Sequence, residues 1–230
     1  FHIGAHPFAA PALAPALYLV ATPVGNLGDV TLRALQVLAA ADVIYCEDTR
    51  VTVKLLERYG IRARLKPYHD HNAADAGAAI LAAIAAGQAV ALASDAGTPL
   101  LSDPGFPLVR DAVAAGVKVE ALPGASALLP ALQLSALPTD RFTFLGFLPQ
   151  KAGERLRLLT EMAARRDTLV AYESPHRVVD ALADIASAMG GRAVSVSREI
   201  SKLHEETLRG SAAEVAALLQ AKPAIKGEFV

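Results

Sequence analysis

Three short stretches of this chain concentrate groups that can grip a ligand, take a proton or steady an oxyanion. Ser94-Asp95-Ala96-Gly97-Thr98-Pro99-Leu100-Leu101-Ser102-Asp103-Pro104-Gly105 holds two Asp, two Gly, two Pro, two Ser and one Thr directly after the apolar run Ala89-Val90-Ala91-Leu92-Ala93. An apolar run so short and so sharply bounded reads as a buried strand, and loops at the carboxyl edge of an open α/β sheet are where ligands bind. The glycines let backbone approach a ligand closely, and Pro99 and Pro104 fix φ so that little entropy is lost on binding. The loop is also longer than a plain connection needs, which favours binding over a simple turn. Glu47-Asp48-Thr49-Arg50 follows a second apolar run, Val43 to Cys46. Adjacent carboxylates on an extended chain point apart, so hydrogen bonds to a polar ligand or to Arg50 fit better than a metal. In His69-Asp70-His71-Asn72 the two histidines share a face if the segment is extended. No third metal ligand is evident there. The open readings are a general base, an RNA contact, or a polar helix entry capped by Asp70 or Asn72. The chain has no Gly-x-Ser-x-Gly elbow, and Cys46 has no nucleophilic partnership, so group transfer from a bound donor fits better than covalent catalysis.

The elements that must position these residues alternate strand and helix. Leu17 to Ala21 is a strand, and Asp29 reads as the cap of a helix with Leu32, Leu35 and Leu38 on one side. A helix over Thr52 to Tyr59 stops at Gly60, another runs from Ala73 to Ala86, and a third from Pro107 to Ala115 precedes a strand at Val117 to Leu122. The alternation predicts a largely parallel sheet with helices on its faces. A second alternation follows, with strands at Phe142 to Phe147, Thr168 to Tyr172 and Ala193 to Arg198. Ser174 with Pro175 behind it reads as a helix start, Ser211 to Glu214 as a capping box, and Gly227 to Val230 as the beginning of a last strand. The expected organisation is an extension over 1–15, an α/β domain over 16–125 and a second over 126–230.

Composition excludes several classes. Apolar residues make up 53% of the 230, much of it Ala, yet no apolar run approaches a bilayer span, so no membrane role is expected. The first residues lack the charged start of a signal peptide, and a single cysteine rules out an internal disulfide, so a cytoplasmic protein is expected. A net charge of −1 argues against non-specific nucleic-acid binding and against DNA as a partner. RNA contacted through a local patch remains open. Arg62, Arg64 and Lys66 alternate beside Tyr68, His69 and His71, which suits RNA phosphates and bases as well as it suits a charged edge strand.

Taken in order, the strings Leu17 through Asp29, Glu47-Asp48-Thr49-Arg50, His69-Asp70-His71-Asn72, Ser94 through Gly105, Pro123-Gly124, Tyr172 through Arg177 and Lys226 through Phe229 resemble the tetrapyrrole methylase superfamily. Within it they most resemble the bacterial 16S rRNA (cytidine-2′-O)-methyltransferase family. The resemblance implies two α/β domains with S-adenosylmethionine between them, a homodimer, and 16S rRNA or the small ribosomal subunit as partner. By motif match it assigns Pro23, Asp95, Gly97, Thr98, Asp103, Pro104, Gly105, Pro123, Gly124, Ser126, Ser174 and Gly227 to the donor pocket, with no metal. Removing the proton of a ribose hydroxyl calls for a positioned base or a cation beside the oxyanion. The candidates are Glu47, Asp48, His69 and Asp95, with Arg50 as electrostatic helper and a carboxylate preferred. Two other classes stay open: a corrin or porphyrin-precursor methyltransferase, which shares the donor site, and a non-catalytic RNA-binding homologue.

Overall fold

The apolar runs of the first half lie side by side. In the computed structural model, which describes residues 1–230, the chain clusters into two units, Phe1–Ser126 and Ala127–Val230. The first unit contains β1 (His2–Ile3), β2 (His6–Pro7), β3 (Ala16–Val20), α1 (Leu32–Ala40), β4 (Val43–Cys46), α2 (Thr49–Arg58), β5 (Leu65–Pro67), α3 (Ala73–Ala85), β6 (Ala89–Ala93), α4 (Phe106–Ala114) and β7 (Val119–Leu122). Its sheet has the order β5-β4-β6-β3-β7, with every pairing parallel. All residues of β4 and β6 are buried, as expected of strands covered on both faces. Alternation along the strands separates two cores. Tyr18, Val20 and Ile44 pack with Leu35 and Leu38 of α1 and Leu55 and Leu56 of α2. Leu17, Val43 and Tyr45 pack with Ile80 and Ile84 of α3 and Leu108 of α4. Residues 1–15 contribute the β1–β2 hairpin, and Phe1, Ile3 and Leu13 rest against the first of these cores.

In the first unit, local capping differs from the sequence reading in three places. Asp29 closes a 3-10 turn over Leu27–Asp29, and Thr31 caps α1 by accepting from the Ala34 amide; Leu32 is therefore solvent-facing, at 57% exposure. Helix α2 begins at Thr49 rather than Thr52, because the Asp48 carboxylate accepts from the Arg50 amide and serves as its cap. Asn72 precedes α3 without capping it. Its side chain accepts from the His69 amide and donates to the Pro67 carbonyl, which closes the His69 loop instead.

The second unit contains α5 (Leu128–Leu134), β8 (Phe142–Phe147), α6 (Ala152–Met162), β9 (Thr168–Tyr172), α7 (Val178–Met189), β10 (Ala193–Arg198), β11 (Glu206–Ser211) and α8 (Ala212–Gln220). Here β8 and β9 pair in parallel, whereas β10 and β11 form an antiparallel pair. Strand β11 has no counterpart in the sequence reading, since Glu206–Ser211 is polar with one Leu and shows no apolar alternation. Ser211 and Glu214 form the expected capping box. Ser174 does not cap α7: a turn intervenes, Arg177 occupies the cap position, and the Ser174 hydroxyl accepts from Arg177 Nε. Arg155, almost fully buried, bonds Asp184 at 2.6 Å and ties α6 to α7. No helix of either unit is long and apolar enough to cross a membrane.

Candidate active site

Because the first sheet is parallel throughout, the loops that follow its strands all emerge at one edge. Strand β6 returns to lie between β4 and β3, so its loop, Ser94 to Gly105, occupies the middle of that edge. The loop is bound on one side to the loops after β3 and β7. Thr22 and Gly97 exchange backbone hydrogen bonds at 2.9 and 2.8 Å, and the Thr22 hydroxyl donates to the Ser94 carbonyl. The Thr98 hydroxyl donates to the Ala125 carbonyl at 3.0 Å. Gly97 has φ +85, and a Cβ there would press on Val24 at 3.3 Å; a Cβ on Gly124 would meet that of Ala21 at 2.7 Å. These two glycines are thus required by packing among the loops. Leu100 and Ser102 adopt left-handed conformations (φ 71 and 62) that non-glycine residues rarely hold. The Ser94 hydroxyl, hydrogen-bonded to the Asp103 carboxylate, latches the strained segment to the end of its strand.

Towards β4 and β5 the edge opens into a small cleft lined by Glu47, Tyr68, Ser94, Asp95, Asp103 and Pro104, among others. Asp95 accepts from the Asp48 amide through both carboxylate oxygens, at 3.0 and 3.1 Å, and so brackets the start of α2. Glu47 stands at the mouth. Glu47 is solvent-exposed, and partial desolvation beside the cleft raises its carboxyl above the ordinary range; the charges of Asp95, Asp103 and Asp70 raise it further, and His69 opposes them. Burial is also the main cause that raises Asp95 and Asp103, against the hydrogen bonds each accepts. His69 lies edge-on to His71, ring centres 5.9 Å apart, with its Nδ1 buried and unpartnered. No three metal-ligating side chains are grouped to hold an ion.

The sequence reading places Arg50 beside these groups. The structure puts it in the first turn of α2, 88% exposed and forked onto Asp48, whose carboxyl it lowers to about 2; it does not line the cleft. Of the cationic stripe, only Lys66 lies in β5, its ammonium 5.6 Å from the Tyr45 ring centre, while Arg62 and Arg64 lie in the preceding irregular segment. Strand β5 is an edge of the sheet. Pro23 follows Thr22 on the β3 loop, and Pro123 and Ser126 flank Gly124 and Ala125 after β7. In the second unit, Ser174 lies between β9 and α7, and Gly227 (φ +102) lies against Glu199, where any Cβ would collide. Sequence reasoning misses Tyr68 as a cleft wall and misses the Ser94–Asp103 latch. Tyr68 offers no signal beyond its place beside His69, and the latch depends on a loop conformation that composition does not reveal.

The profile of the tetrapyrrole (corrin/porphyrin) methylases matches residues 16–216. A protein from Mesorhizobium japonicum named ribosomal RNA small subunit methyltransferase I is 51% identical over 219 residues, 95% of this chain and 74% of its own length. The chain belongs to the tetrapyrrole methylase family. A second relative of the same name, from Halalkalibacterium halodurans, is 47% identical over 93% of this chain and 73% of its own. Another, from Escherichia coli O157:H7, is 46% identical over 85% and 68%. Among solved structures, a cobalt precorrin-4 methyltransferase superposes with TM-score 0.69 at 17% identity, covering 94% of this chain and 93% of its own. The uroporphyrin-III C-methyltransferase of Thermus thermophilus, solved with S-adenosyl homocysteine, gives 0.62 at 21% identity over 93% and 95%. Likeness at that identity carries the family fold and no more.

Proposed function

We propose that the chain transfers the methyl group of S-adenosylmethionine to the 2′-oxygen of a cytidine ribose in 16S ribosomal RNA. The observation that carries this reading is the 46–51% identity, along most of the chain, to relatives that share one rRNA methyltransferase name. The tetrapyrrole methylases of known structure stand at about a fifth identity, a likeness that carries the fold alone. Glu47, Asp70, Asp95 and Asp103 gather negative charge about the cleft, which suits a cationic donor.

S-adenosylmethionine supplies, when bound, a methyl group already activated by a sulfonium charge. The share left to this chain is alignment and proton removal. We assign the base to Glu47, the carboxylate at the cleft mouth whose raised basicity fits it to accept the hydroxyl proton. Asp95 holds the Glu47–Asp48 backbone in place, and the Ser94–Asp103 latch holds the loop. Pro23, Gly97, Thr98, Pro104, Gly105, Pro123, Gly124 and Ser126 shape the donor's surroundings in the first unit, and Ser174 and Gly227 are its candidates in the second. Arg62, Arg64 and Lys66 are assigned to rRNA phosphates. A 2′-oxygen acceptor exists in RNA and not in DNA, so DNA is no substrate; a cytoplasmic homodimer acting on the small subunit completes the reading.

Labelled-methyl transfer to small ribosomal subunits, naked 16S rRNA and a tetrapyrrole precursor tests it. Label in rRNA from either RNA acceptor is expected. Label in the tetrapyrrole alone overturns the proposal, and no transfer alongside intact RNA binding returns the chain to a binding homologue.

A further inference from the structure

Strand β8 carries one residue more than its partner. Phe144 pairs with Val170 and Phe147 with Tyr172, so β8 takes three steps where β9 takes two. Gly146, inside this bulge, adopts φ +67. Bulges are rare in parallel pairs, and they re-aim a side chain, often beside a functional site. Side chains alternate along a regular strand, so residues three apart face opposite ways. The bulge reverses that relation. Phe144 and Phe147 both set their rings against Tyr172, with centres 4.9 and 5.5 Å away, while Leu148 joins Leu145 in the core with Leu159 and Ala181.

Phe147 and Tyr172 stand at the carboxyl ends of two parallel strands, the edge at which α/β folds bind ligands. Phe147 is nevertheless 55% exposed. Its contact with Tyr172 is edge-on, with ring planes 65° apart, so Tyr172 leaves at least one face of the Phe147 ring uncovered. The backbone that follows is clamped. Arg177 donates to the Leu148 carbonyl at 3.3 Å, and the buried Arg155 donates to the carbonyls of Pro149 and Gln150 at 3.3 and 3.4 Å. Each guanidinium is held in turn by a carboxylate at 2.6 Å, Arg177 by Glu173 and Arg155 by Asp184. The ring is thus presented on a fixed frame, which limits the ordering cost when a ligand settles on it.

The surroundings select that ligand. An exposed aromatic face seats any nucleobase, and cations alongside it track the phosphates of a single strand. Lys151 and His176, each four residues beyond one of the two rings, are exposed. Lys151 makes a surface ion pair with Glu154, of the weak kind that a phosphate can displace. RNA offers its unpaired bases for stacking of this sort. We propose that Phe147, backed by Tyr172, is a stacking platform for an unpaired base of the RNA acceptor, with Lys151 and His176 beside the adjoining phosphates. This rests on the proposed activity, from which it takes RNA as the partner.

Phe147→Leu removes the ring and keeps the apolar surface, whereas Phe147→Tyr keeps both. Binding to small ribosomal subunits and to naked 16S rRNA is measured by cosedimentation, S-adenosylmethionine binding by calorimetry, association state by analytical sedimentation, and methyl transfer to the same RNA in parallel. Phe147→Leu is expected to raise the Kd for RNA by roughly five- to a hundredfold, the range of one stacked base, with donor affinity and association state unchanged. Phe147→Tyr is expected to bind RNA like the native chain. Unchanged RNA affinity in Phe147→Leu overturns the platform. A matching loss of donor affinity would make the donor's adenine the occupant, and a changed association state would make it a second copy; either overturns the proposal. A native chain that binds RNA without methylating it overturns the proposed activity alone, because the RNA affinities still decide the platform. A native chain that binds neither RNA overturns both.

Discussion

Asp95 grips the amide of Asp48 with both carboxylate oxygens, at 3.0 and 3.1 Å. That contact joins the loop after β6 to the start of α2 across neighbouring strands, and it fixes the backbone from which Glu47 projects. An aspartate engaged in this way is better suited to positioning than to taking a proton, and the proposed reading therefore assigns the base to Glu47.

Replacing the base and replacing its bracket should therefore differ. Glu47→Gln is expected to slow single-turnover methylation by roughly a hundredfold to ten-thousandfold, the usual share of a general base, with donor affinity little changed. Asp95→Asn keeps an oxygen able to accept from the Asp48 amide and should retain most of the rate, while Asp95→Ala should lose rate through misplacement. Rates for Glu47→Gln at the wild-type level would remove Glu47 from the mechanism.

The carboxylates around the cleft should set the pH dependence. Glu47 is raised by partial desolvation and by its acidic neighbours, so the acid limb of single-turnover methylation should lie above the ordinary carboxylate range. Asp103→Asn removes one neighbouring charge and should move that limb to lower pH. An unmoved limb would separate Glu47 from the titration that controls the rate.

The same groups make a stability prediction. Asp103 has a folded-state carboxyl raised by burial, so its contribution to stability is present below its unfolded value and is lost as pH rises through the folded one. Asp103→Asn should therefore cost less stability at about pH 8 than at about pH 4, as urea melts at the two pH values would show. A larger loss at the higher pH would contradict the assigned cause.

Packing among the loops after β3, β6 and β7 makes Gly124 sensitive. A Cβ there lies 2.7 Å from that of Ala21, and Gly124→Ala should destabilise by about 1–3 kcal/mol, the usual range for overpacking. Gly97→Val adds strain at φ +85 to contact with Val24 and should abolish donor binding measured by calorimetry. Undiminished affinity in Gly97→Val would detach this loop from the donor.

The cations around β5 give a salt-dependence test. Alanine at Arg62, Arg64 and Lys66 together should weaken rRNA binding and flatten its salt slope, with donor affinity unchanged. Lys66 leans on Tyr45, so Arg62 and Arg64 should carry most of the effect. An unchanged slope would return the stripe to an edge-protecting role.

Much of the first unit is legible because its central strands β3, β4 and β6 are uninterrupted apolar runs and its helices end at glycines such as Gly60 and Gly87. The long loop is legible from composition alone. Capping is less so: Asp29, Thr31 and Asp48 are all competent caps, and tertiary contacts decide among them. Arg50 looks catalytic because Glu47 and Asp48 adjoin it in sequence, yet the first turn of α2 directs it to solvent. Strand β11 escapes notice because it is mostly polar, and its pairing with β10 is a long-range choice that local periodicity does not encode.

The identity of the methylated atom decides most directly whether ribose methylation is the reaction. Alkaline hydrolysis of a phosphodiester needs a free 2′-hydroxyl, so 2′-O-methylation leaves an alkali-resistant dinucleotide. After reaction of small subunits with labelled S-adenosylmethionine, complete alkaline digestion of the 16S rRNA should place the label in a resistant dinucleotide whose methylated nucleoside is cytidine. Label recovered wholly in mononucleotides would mean that a base had been methylated, and would contradict transfer to the ribose.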